Sequence, residues 1–83
     1  MPIRVKVLYF GQARDAAGTG AEFLSLPTFA SVEALVSEST KAHQRLKSIS
    51  GSMRIAVNEE LAAEDHRLND GDVVALLPPV AGG

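Results

Sequence analysis

The sequence predicts an α+β domain, a mixed sheet of about five strands packed on one main helix, and three stretches carry that prediction. Residues 3–10 alternate strictly, with Ile3, Val5, Val7 and Tyr9 on one face and Arg4, Lys6, Leu8 and Phe10 on the other. Residues 31–47 place Val32, Leu35, Val36, Ser39 and Leu46 at helical spacing. Residues 73–77 are nearly all apolar, which suits a strand inside a sheet rather than at its edge.

Each element follows from local chemistry. The second face of residues 3–10 begins charged and ends apolar, so Leu8 and Phe10 are candidates for a patch outside the core. Residues 11–20 hold three glycines among polar residues and read as a loop, with Gly18-Thr19-Gly20 as its turn. Residues 22–26 form a short second strand that Pro27 ends. Ser31 is a good N-cap for the helix, and Glu33 sits in the first turn, where the helix dipole favours an acid. Gly51 stops the helical run. Met53, Ile55 and Val57 alternate as a third strand, and Asn58-Glu59-Glu60 turns into Leu61-Ala62-Ala63. Asn69-Asp70-Gly71-Asp72 is the turn before the last strand. One helix covers only one face of such a sheet, so the other must stay polar or meet a partner. If Val74 and Leu76 point to the helix, Val73, Ala75 and Leu77 share the open face with Leu8 and Phe10; the opposite register would put Leu77 in the core.

Composition narrows the function. At 83 residues the chain holds one domain, residues 1–83, with residues 79–83 as an extended tail. There are no cysteines, so thiolate metal sites, disulfides and a cysteine nucleophile are excluded. The net charge of -2 lacks the basic footprint of a nucleic-acid binder, and no apolar run suits a membrane span or signal peptide, so a cytoplasmic location is expected. His43 and His66 have no ligands at metal spacing and read as surface or boundary residues. Gly18 and Gly20 complete no dinucleotide or phosphate-binding motif, and the acids at 64–72 lack calcium-loop spacing.

What remains is the terminal run Pro78-Pro79-Val80-Ala81-Gly82-Gly83. Two prolines end the last strand and favour extended backbone. The four residues beyond them reach roughly 13 to 14 Å when extended, and glycines make a thread narrow enough for a tight channel. A Gly-rich end is also what a frayed terminus looks like. A terminal carboxylate becomes electrophilic only when a better leaving group is attached, so such a tail calls for activation by a second protein.

Phe10-Gly11-Gln12-Ala13-Arg14, then Val57-Asn58, then Leu68-Asn69-Asp70-Gly71-Asp72-Val73-Val74-Ala75 running into Pro78-Pro79 and Gly82-Gly83 resemble the small subunit of molybdopterin synthase, the MoaD family. The resemblance spans the whole chain. It implies the ubiquitin-like β-grasp fold, first and last strands central and parallel, with a flexible Gly-Gly tail. It implies a sulfur carrier whose Gly83 is adenylated by a MoeB-type enzyme using ATP, then converted to a thiocarboxylate with sulfur from a sulfurtransferase. A large MoaE-like subunit, in a heterotetramer, then takes up Pro79, Val80, Ala81, Gly82 and Gly83 and forms the dithiolene of molybdopterin. It also implies docking through Phe10, Leu61 and Leu77, where Leu77 replaces a common aromatic, while Arg14 in the first motif is a candidate partner contact. The chain itself is expected to bind no cofactor, metal, nucleic acid or membrane. Rival readings are carriers for thiamine, cysteine or tRNA thiolation, a ubiquitin-like modifier, and an interaction domain with an inert tail.

Overall fold

A computed structural model of the chain describes residues 1–79. Strand β1 (Ile3–Tyr9) leads into a short helix α1 (Gly11–Ala17), followed by β2 (Ala21–Leu26) and the main helix α2 (Val32–Ala42). After two 3-10 turns, Gln44–Ser48 and Ser50–Ser52, come β3 (Arg54–Val57), β4 (Glu60–Leu61) and β5 (Val73–Leu77). The sheet order is β2-β1-β5-β3-β4. β1 and β5 lie side by side and parallel, and every other pair is antiparallel. This is the β-grasp arrangement that the resemblance implies.

Alternation decides the faces. Ile3, Val5, Val7 and Tyr9 are buried with Val74 and Leu76 against α2, whose Val32 and Leu35 close the core. Fully burying a side chain of this size stabilises by about 1.5 to 3 kcal/mol, so this interdigitated row is the main source of cohesion. Helix α2 starts where the Ser31 hydroxyl accepts a 3.1 Å hydrogen bond from the Ala34 amide. The expected assignment of β5 holds: Val74 and Leu76 are fully buried, whereas Val73, Ala75 and Leu77 are half-buried on the other face.

Four expectations need correction. Residues 11–20 are not all loop, because Gly11–Ala17 is helical and buries Ala13 completely. Its two boundary glycines take positive φ, Gly11 at 51° and Gly18 at 75°, and between them Gln, Ala and Arg are strong helix formers. The helix expected over 31–47 ends at Ala42, and the chain resumes as a 3-10 turn that still buries Leu46. The break lies at His43 (φ -133°, ψ 86°), whose ring is drawn to β2. The first strand stops at Tyr9 rather than Phe10, and the third begins at Arg54 rather than Met53.

Candidate docking face and tail root

The sheet face turned away from α2 is read directly from the strand register. Ala21 pairs with Leu8, Leu8 with Ala75, Ala75 with Ala56 and Ala56 with Leu61, so a belt of apolar side chains crosses all five strands. Leu77 flanks this belt on β5, opposite Arg54 on β3. Phe10 follows the Tyr9–Leu76 pair with extended backbone (φ -122°, ψ 153°), which carries the alternation one residue past β1 and sets Phe10 beside Leu77. Phe10 is 47% exposed and Leu61 64%. The structure therefore brings Phe10, Leu61 and Leu77 to one face. Leu61 also borders a groove of about 360 Å³ between α2 and the β3–β4 hairpin.

Arg14 is placed differently. It is exposed on α1 rather than on the strand face, and a Cβ added at Gly20 would lie 3.5 Å from its Nε. Pro79 is exposed just after β5, whereas Val80, Ala81, Gly82 and Gly83 lie outside the described residues.

Strand β5, which leads into the tail, is held at both ends. Gly11 has φ 51°, and a Cβ there would meet Pro78 Cγ at 3.4 Å, so the start of α1 approaches the residue that ends β5. At the opposite end of β5, Asp72 is buried, its Oδ2 accepting from the Asn69 amide at 2.8 Å and its Oδ1 from Asn58 Nδ2 at 3.0 Å. Asn58 Oδ1 accepts in turn from the Val73 amide at 3.0 Å. Asn58 has φ 51°, a left-handed conformation that Asn adopts more readily than most residues. The Val57-Asn58 and Gly71-Asp72 motifs are thus one clasp fixing the entry of β5 against the β3–β4 turn. Their spacing in sequence carries no sign of the contact.

A second polar cluster lies beneath β1. The Tyr9 hydroxyl donates to Glu22 Oε2, and His43 Nε2 lies 2.7 Å from the same oxygen. The His43 ring stands edge-on to Tyr9, with centroids 5.7 Å apart. Burial first, then the hydrogen bond and charge of Glu22, push the Tyr9 hydroxyl well above the usual tyrosine range, with Ser39 opposing in part. His43 therefore has a sharper role than a boundary residue, because it ties the end of α2 to β2. Tyr9, Glu22 and His43 are far apart in sequence, and no local pattern announces them. Among the described residues no three His, Asp or Glu side chains gather as a metal-ligand set.

Arg4 and Phe23 form a further feature of the open face that sequence reading missed. The Arg4 guanidinium carbon sits 4.1 Å from the Phe23 ring centroid, a cation–π contact between neighbouring strands.

Comparison with known proteins fits this geometry. The molybdopterin synthase sulfur carrier subunit of Escherichia coli is 42% identical over 95% of this chain and 99% of its own length. A Helicobacter pylori structure described as a complex of subunits 1 and 2 of molybdopterin-converting factor contains a chain 30% identical, with TM-score 0.69, covering 98% of this chain and 100% of that one. SAMP1 from Haloferax volcanii superimposes with TM-score 0.88 at 26% identity, over 96% of this chain and 99% of its own. The family model described as the ThiS family matches residues 7–83, from the middle of β1 through the Gly-Gly end, and the chain belongs to that family.

Proposed function

We propose that this chain is the sulfur carrier subunit of molybdopterin synthase, the small, non-catalytic part of a heteromeric enzyme. The observation that carries the reading is the 42% identity to a subunit of that name, over nearly the full length of both chains. The Helicobacter complex supports a large-subunit partner. The geometry supplies a rationale: an apolar belt with Phe10, Leu61 and Leu77 docks, while Pro78 and Pro79 lead the chain off a clamped strand toward the partner's site.

The chemistry belongs to the terminal carboxylate of Gly83. A carboxylate oxygen attacks the α-phosphorus of ATP on an activating enzyme, giving an acyl-adenylate and pyrophosphate. The outer sulfur of a sulfurtransferase persulfide then attacks the carbonyl carbon and AMP leaves; a second thiol attacks the sulfurtransferase sulfur of the resulting acyl disulfide, forms a disulfide with it and releases the thiocarboxylate. Its anionic sulfur is the nucleophile that the large subunit uses to build the dithiolene. Val80, Ala81 and Gly82 are the thread that carries it there, and Arg14 is a rim contact. ATP and the pterin precursor are bound by partners, and this chain holds no cofactor.

Incubating the thiocarboxylated protein with the large subunit and precursor tests the reading. Molybdopterin should form, and the chain should return to its carboxylate mass. An intact thiocarboxylate that yields no molybdopterin would overturn the assignment. The likeness to SAMP1, described as a small archaeal modifier protein, favours a second reading as a protein modifier. Peptides branched at lysine through Gly-Gly in the source cells would support it.

A further inference from the structure

The charges of the sheet are sorted by face. All three basic strand residues, Arg4, Lys6 and Arg54, occupy open-face positions, and no acidic residue does. The two acidic strand residues, Glu22 and Glu60, pair with Val7 and Val57 on the helix side. This happens in a chain with 10 acidic and 8 basic residues, whose overall charge is -2. The cations also bracket the apolar belt: Arg54 stands opposite Leu77 by the tail root, and Arg4 and Lys6 lie at the other end of β1. Arg4 is held in place by its stack on Phe23, and its backbone amide donates to Asp70 Oδ1 at 2.8 Å. That contact brings one carboxylate up to the backbone of β1.

We infer that the open face is an electrostatically steered docking surface whose partner presents carboxylates around an apolar patch, with Arg4 and Lys6 as the principal steering charges. The inference rests on the sulfur-carrier reading and commits to the large synthase subunit as the occupant. Clustered charge of one sign raises the association rate of an oppositely charged surface, and salt removes the advantage. The apolar belt determines how long the complex lasts, whereas the cations determine how quickly it forms.

The test is the association rate constant of the full-length chain with the large subunit from the same organism, measured at low and high salt. Arg4→Glu combined with Lys6→Glu should slow association about tenfold at low salt, with the gap closing near 1 M, where the Debye length is about 3 Å. Lys41→Glu combined with Lys47→Glu changes the net charge equally but lies in the helix layer, and should leave the rate within about twofold. Arg4→Gln with Lys6→Gln gives a smaller slowing in the same direction and replaces the reversal should that protein misfold. Equal slowing by both reversals, or slowing by neither, would overturn the inference. A complex that forms at a salt-independent rate also overturns it and leaves the sulfur-carrier reading standing. A wild-type chain that forms no complex at any salt concentration overturns that reading and the inference together.

Discussion

Phe10 and Tyr9 are neighbours with opposite duties, and alternation alone separates them. Phe10 is half-exposed beside Leu77, so Phe10→Ala should weaken large-subunit binding by about 2 kcal/mol or more, as an aromatic hot spot does. Its melting temperature should change little; a protein that mainly unfolds would place Phe10 in the core instead. Tyr9 is buried and bonded to Glu22, which raises its hydroxyl above the ordinary pKa near 10. The folded state thus keeps the proton that the unfolded chain loses at about pH 10, so stability is intact below that pH and falls as pH rises above it. Tyr9 is the only tyrosine, and there is no tryptophan, so tyrosinate absorbance reports it alone. That absorbance should appear together with alkaline unfolding. A separate earlier titration in folded protein would contradict the burial argument.

At the level of elements, β1 and α2 were legible because each carries one clear period, and β5 because it is a short apolar run between turn signals, while α1 was not. Three glycines within residues 11–20 signalled loop, yet two of them are the helix boundaries and the residues between favour a helix. Gly11 therefore matters for conformation and space together. Gly11→Ala should cost about 1 kcal/mol or more, since a Cβ at φ 51° is strained and also meets Pro78 at 3.4 Å. A denaturant midpoint equal to wild type would show that the turn relaxes freely. The early end of α2 was illegible for another reason: residues 43–49 keep helical spacing, and only the distant Glu22 explains why the chain breaks at His43. The Asn58–Asp72 clasp was hidden in the same way, because its two halves lie fourteen residues apart.

Across the whole molecule, the candidate face and the charges that β1 gives it were readable, but the sorting of charge over the full sheet was not. Phe10, Leu61 and Leu77 could be assigned to one face from alternation and resemblance, but the row joining Leu8, Ala75, Ala56 and Leu61 required the strand order. Alternation alone sets Arg4 and Lys6 beside Leu8, but the arrival of Arg54 on that face and the placing of Glu22 and Glu60 on the other emerge only when the five strands are laid side by side. The described core runs from Ile3 to Leu76 and closes among residues that precede the terminal glycines in the chain. Deleting Gly83 should accordingly abolish sulfur transfer while leaving the thermal transition unchanged. A marked shift in that transition would assign the terminus a structural part. The parallel pairing of β1 with β5 also has a mechanical meaning. A force applied between the start of β1 and the end of β5 runs along both strands and loads their hydrogen bonds in shear, all at once, rather than peeling them one by one. A partner can therefore grip the tail and pull hard on it while the body that anchors it stays folded.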